Sequence, residues 1–98
     1  MEQIKVEEFN DKIKDGKVLI DCYADWCGPC RMLGPILEEV SNEIDTYKFY
    51  KLNVDEADDI ARQFGIMSIP TILIFENGEL KQKLVGLMNK EEIKKVLN

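Results

Sequence analysis

Residues 17–30 read KVLIDCYADWCGPC. The stretch KVLIDCYA (17–24) is a continuous apolar run rich in strand formers and broken only by Asp21, as expected of a central strand covered on both faces. Cys27 and Cys30 then flank Gly28-Pro29. From Cys30 onward Leu33, Ile36, Leu37, Val40 and Ile44 recur at helical period. The strand therefore turns tightly into a helix that begins at CGPC, and Pro35 inside the apolar stripe removes one helical hydrogen bond and predicts a kink.

The flanking segments extend this unit in both directions. Before it, a short strand near Gln3 to Lys5 precedes Val6, Phe9 and Ile13 at helical spacing, with Gly16 as the stop. After it, YKFYKLNVD (47–55) reads as a strand, and Ala57, Ile60, Ala61 and Phe64 mark a short helix ended by Gly65. TILIFE (71–76) and ELKQKLV (79–85) flank Asn77-Gly78, the strongest short hairpin signal, and Ile93, Val96 and Leu97 line a last helix that Asn89 caps. Parallel strands need crossover helices, whereas a two-residue turn needs antiparallel neighbours. The expectation is an α/β fold: a central mixed sheet of about five strands with helices on both faces.

Composition narrows the function. The 98 residues are 45% hydrophobic, enough for one core, and no repeat, low-complexity tract or linker divides them, so one domain spanning 1–98 is expected. Thirteen basic against 19 acidic residues give a net charge of -6, which argues against a phosphate-binding footprint and against nucleic acid as a partner. The start MEQIKVEEFNDK has neither a basic segment nor an apolar signal core. No apolar run approaches the roughly 20 residues of a membrane helix, so the expectation is a cytoplasmic protein without a membrane partner.

Three readings of Cys27 and Cys30 compete. A zinc site needs four ligands, yet the chain has no histidine and only Cys22, inside the apolar strand, remains to help; a site shared across a dimer has no supporting signal. A permanent disulfide is disfavoured in a reducing compartment and would close a loop too short to constrain the unfolded chain. The redox reading has a physical basis. Cys27 falls at a helix N-terminus whose free amides and dipole favour a thiolate, and Pro29 costs nothing in a first turn. Strand, turn and helix should present Cys27 outward, with Cys30 one helical step inside.

WCGPC (26–30) after an apolar strand, IPT (69–71), and NG (77–78) before VG (85–86) together resemble the thioredoxin family, over about Val18 to Leu97. The resemblance implies the thioredoxin fold and a reversible dithiol–disulfide cycle that reduces protein disulfides, with no cofactor or metal. It also implies a monomer whose partners are disulfide-containing proteins and a thioredoxin reductase. By the same resemblance Cys27 is the attacking thiol and Cys30 the resolving one. Asp21 matches the family's buried carboxylate, Lys51 its lysine partner and Pro70 its cis-proline. Trp26, Gly28, Pro29, Met67, Ile69, Pro70 and Gly86 would form the docking surface, with Gly65, Ile66 and Val85 beside them and the Ile69 backbone pairing with an extended substrate strand. Three positions depart from the family pattern: Cys22 where an aromatic is usual, Tyr23 where tryptophan is frequent, and Arg31 where lysine is common.

On the residues alone, plainer readings stand beside these. Asp21 is a polar residue near a strand end, Lys51 a solvated lysine, Trp26 a core residue, and Cys22 a small buried hydrophobe. Ile69-Pro70 by itself would be trans, since only about 5–6% of X-Pro bonds in folded proteins are cis. A binding module serving inside a larger complex would need neither cysteine.

Overall fold

The computed structural model describes residues 1–98. Strands β1 (Glu2–Gln3), β2 (Lys17–Tyr23), β3 (Lys48–Asn53), β4 (Thr71–Glu76) and β5 (Glu79–Val85) form one sheet in the order β1-β3-β2-β4-β5. β2 lies at its centre, parallel to β3 and antiparallel to β4, while β1 joins β3 in parallel and β5 closes the far edge antiparallel to β4. The mixed sheet expected from the hairpin and the crossovers is the one observed.

Helices α1 (Phe9–Ile13), α2 (Gly28–Glu43), α3 (Asp58–Gln63) and α4 (Lys90–Leu97) cover both faces. The period-2 alternation of β2 decides what each face buries. Val18, Ile20 and Cys22 pack with Phe9, Ile13 and Ile60 under α1 and α3. Leu19 packs on the opposite face with Leu33, Leu37 and Val40 of α2 and with Ile93 and Leu97 of α4. Asp21 shares the parity of Leu19, so the strand delivers its one carboxylate to the α2 face. No helix is long and apolar enough to cross a membrane.

Local chemistry fixes the element ends. Asn77 (φ 50°) and Gly78 (φ 84°) both take the left-handed conformation that a two-residue hairpin turn of this hand demands. The Asn77 side chain accepts from the Gly16 amide at 2.8 Å, tying the hairpin tip to the turn that leads into β2. Asn89 and Glu92 form a reciprocal capping box at the start of α4.

Some boundaries differ from expectation. The first strand is Glu2–Gln3 rather than Gln3 to Lys5, because the Lys5 amide turns away to donate to Glu8 and opens a 3₁₀ turn at Val6–Glu8. Ile4 nonetheless stays tied to β3, its amide donating to the Lys51 carbonyl at 2.9 Å. β3 covers Lys48–Asn53 only. Its C-terminal end is stopped where the Asn53 side chain accepts from the Asp55 amide and folds Val54–Glu56 into a second 3₁₀ turn. Ile44 lies just past α2 in extended conformation, while Pro35 sits inside that helix.

Candidate active site

The turn after β2 ends at Cys27, which occupies the N-cap of α2 in extended conformation. Its Sγ accepts from the Cys30 amide at 3.2 Å, so the sulfur itself satisfies one of the otherwise orphaned donors of the helix start. Gly28 and Pro29 fill the first helical positions, where a missing amide hydrogen costs nothing. Cys27 and Cys30 are joined by a disulfide, with Cα atoms 5.2 Å apart. Arg31 braces the turn by donating to the Asp25 carbonyl at 2.8 Å.

The expected contrast between an outward Cys27 and an inward Cys30 is not a contrast of exposure in this oxidised form. Cys27 is 4% exposed and Cys30 5%, because both pack in a small cluster with Ala24, Tyr23, Val54 and Ile69. The two sulfurs differ in what they face. Cys27 Sγ lies 3.8 Å from the Ile69 carbonyl on the open side of the site. Cys30 lines a partly open cavity of about 560 Å³ between the sheet and α2, together with Asp21, Tyr23, Lys51, Gly34 and Pro35.

Asp21 is 2% exposed, and its Oδ1 has no hydrogen-bond partner. Burial pushes its pKa up to about 7, against the opposing pull of the Lys51 charge. Lys51 is the cross-strand partner of Asp21 and lines the same cavity, but its ammonium stacks over the Tyr23 ring at 5.3 Å rather than pairing with a carboxylate. Cys22, on the opposite face of β2, is fully buried, and its thiol pKa is pushed up by desolvation and then by the Asp21 charge. It is therefore a packed, inert thiol.

On the other side of the disulfide, Trp26, Val54, Ile66, Met67 and Ile69 line an open groove of about 450 Å³. Trp26 is 68% exposed and Met67 96%, large apolar surface that a core reading does not explain. The Trp26 indole nitrogen donates to Asp55 at 2.9 Å, which fixes the ring as a wall; nothing in the sequence pattern singled out Asp55. The Ile69-Pro70 peptide is cis, and neither the amide nor the carbonyl of Ile69 has a backbone partner. Val85 and Gly86 do not line the groove. They flank Pro70 instead, Val85 pairing with Thr71 and the Gly86 amide donating to the Pro70 carbonyl at 2.9 Å. Gly65 lines a neighbouring depression with Met67.

A two-cysteine disulfide at the N-terminus of a helix that follows the central strand of this sheet defines a thiol–disulfide oxidoreductase. The thioredoxin family model matches residues 1–98, and the chain belongs to that family. It is similar to a thioredoxin of Listeria monocytogenes, 41% identical over 99 residues, covering 100% of this chain and 96% of that protein. A thioredoxin of Chlamydia caviae is 40% identical over 95 residues (97% and 93%), and one of Bacillus subtilis 41% over 93 residues (94% and 89%). Disulfide-bearing proteins are accordingly its substrates.

Proposed function

We propose that the chain is a monomeric, single-domain cytoplasmic reductase of protein disulfides, in which Cys27 attacks, Cys30 resolves, and a thioredoxin reductase restores the dithiol. The observation that carries this reading is the placement of Cys30, not Cys27, in the cavity with a buried, unpartnered carboxylate. The helix start supports the attacking role of Cys27, since the Cys30 amide and the helix dipole both favour its thiolate.

In the forward reaction the Cys27 thiolate attacks one sulfur of the substrate disulfide, and the other substrate sulfur leaves as a thiolate that takes a proton from water. The Asp21 carboxylate accepts the Cys30 proton. The Cys30 thiolate then attacks Cys27 Sγ, closing the Cys27–Cys30 bond and expelling the second substrate sulfur, so two electrons pass from the dithiol to the substrate. Proximity makes this second step intramolecular. Trp26 and Met67 wall the docking groove, and the free amide and carbonyl of Ile69 are placed to pair with an extended substrate segment. Gly28 has open space where a side chain would stand, and with Pro29 it leaves the approach to Cys27 clear. Pro70, itself buried, and Gly86, whose amide donates to the Pro70 carbonyl, support the surface from behind Ile69, and Lys51 acts on Asp21.

Insulin reduction driven by dithiothreitol tests the activity, and oxidation of NADPH by an added thioredoxin reductase tests the recharging step. Failure to accelerate insulin reduction would refute the reductase reading, and inertness toward every thioredoxin reductase tried would remove that partner.

A further inference from the structure

Asp21 and Tyr23 lie two residues apart on β2 and so share the face under α2, where Lys51 of β3 stands directly opposite Asp21. The Lys51 Nζ sits 5.3 Å from the centroid of the Tyr23 ring. None of the ion pairs of the structure includes Lys51. Yet Lys51, Tyr23, Asp21 and Cys30 all line one cavity. The face of an aromatic ring attracts an ammonium through its quadrupole and leaves the charge un-neutralised. A contact pair with Asp21 would instead hold that carboxylate permanently ionised.

We infer that Tyr23 is a positioning residue: its ring holds the Lys51 ammonium at the mouth of the cavity, near enough to act on Asp21 through space but not in contact with it. The inference rests on the reading of Asp21 as the group that takes the Cys30 proton. Such a base must be largely free to accept near neutral pH, and two opposed influences set that balance, burial raising its pKa and Lys51 lowering it. A lysine released from the ring returns to water, where its charge is screened. Asp21 then holds its proton more of the time, and Cys30 is deprotonated more slowly.

Other charged or titratable groups surround the site. Asp25 and Glu56 lie near the Tyr23 hydroxyl. From α2, Arg31 is engaged by the Asp25 carbonyl, Glu38 by the amino group of Met1, and Cys30 faces the cavity itself. Cys22 points to the opposite side of the sheet.

The test is the ionisation midpoint of Asp21, followed by carbon NMR of the labelled carboxyl and by the pH profile of Cys30 attack on a Cys27 mixed disulfide with a chromogenic aryl thiol. Tyr23→Leu should raise the midpoint by at least about 0.3 pH unit, about a twofold change in proton affinity. Tyr23→Phe and Tyr23→Trp, which keep a ring face, should leave it in place. Lys51→Met should raise the midpoint at least as far, and adding Tyr23→Leu to Lys51→Met should do nothing more. That non-additivity separates positioning from a general structural effect. An equal shift in both backgrounds, or no shift in either, would overturn the inference while leaving the site reading intact. Should Tyr23→Leu fail to fold, the unsubstituted protein decides: the terminal methylene protons of Lys51 should be displaced upfield by the ring, and ordinary positions would overturn it. Absence of any Asp21 ionisation between about pH 5 and about pH 9 linked to Cys30 attack would remove the site reading and this inference together.

Discussion

Replacing Asp21 with asparagine should stabilise the oxidised protein, by an amount that grows with pH. The carboxyl is 2% exposed, one of its oxygens has no partner, and burial lifts its pKa from 3.8 to about 7. In the unfolded chain it ionises near its ordinary value of about 3.9. Below about pH 3.9 both states hold the proton and the native state suffers no penalty. As pH rises from there to about 7, the unfolded chain loses its proton while the folded one keeps it, so stability falls; above about 7 both are ionised and the penalty levels off. A separation of about three pH units corresponds to about 4 kcal/mol when fully developed. Asparagine cannot ionise, and it leaves an amide where the protonated acid stood, at a similar desolvation cost.

Urea unfolding of the oxidised wild type and Asp21→Asn across the pH range measures this difference directly. With a slope of about 2 kcal/mol per molar urea, the midpoints should nearly coincide at about pH 4 and separate by up to about 2 M at about pH 8, the variant being the more resistant. A separation independent of pH, or one favouring the wild type at high pH, would mean that Asp21 is ionised and satisfied in the native state. The same substitution should lengthen the life of a Cys27 mixed disulfide, since it removes the base that the proposed mechanism assigns to the Cys30 proton.

Two further outcomes concern the disulfide and the groove. With Cys22 replaced by alanine, Cys30→Ser should accumulate mixed disulfides with cellular proteins on non-reducing gels, while Cys27→Ser should trap almost none; equal trapping would overturn the assignment of roles. Trp26→Ala and Met67→Ala should each slow insulin reduction several-fold, as expected for apolar anchors worth about 1–2 kcal/mol, yet leave reduction of a small aryl disulfide nearly unchanged. Equal losses on both substrates would locate the effect at the thiols instead of the docking surface.

How far the sequence discloses this arrangement depends on how local each determinant is. The hairpin strands fall on TILIFE and ELKQKLV, because Asn77-Gly78 leaves the backbone few other ways to turn; the turn fixes the register as far as Phe75 opposite Leu80, beyond which a bulge shifts it so that Ile74 faces Gln82. The start of α2 is equally legible, since Cys27, Gly28 and Pro29 suit an N-cap and first turn. Asp21 announces itself by interrupting an apolar run. Less legible are features set by packing between distant segments. β1 is too short for its pattern to mark its ends, and the near-equal burial of Cys27 and Cys30 depends on Val54 and Ile69, remote in sequence. The Lys51 stack on Tyr23 follows from the β2–β3 register, which a crossover through α2 sets without any turn signature. The Asp55 bond to Trp26 arises in the same way, from a 3₁₀ turn that Asn53 nucleates.

The fold also explains why two sulfurs only three residues apart should do different work. A strand that ends beneath a helix start brings together two opposite electrostatic environments: the amides and positive dipole end above, and whatever side chain the strand carries below. Cys27, at the N-cap, meets the first, its sulfur accepting from a backbone amide. Cys30 is one turn further on and meets the second, a carboxylate delivered by the parity of β2 into a space that Gly34 also lines. In the proposed mechanism one thiol is thereby favoured as a thiolate before the substrate arrives, and the other is supplied with a base for afterwards. A carboxylate moved by one residue along β2 would turn to the α1–α3 face and leave the space beside Cys30 without it. In the proposed mechanism the order of attack and resolution therefore rests on strand parity as much as on the CGPC sequence itself.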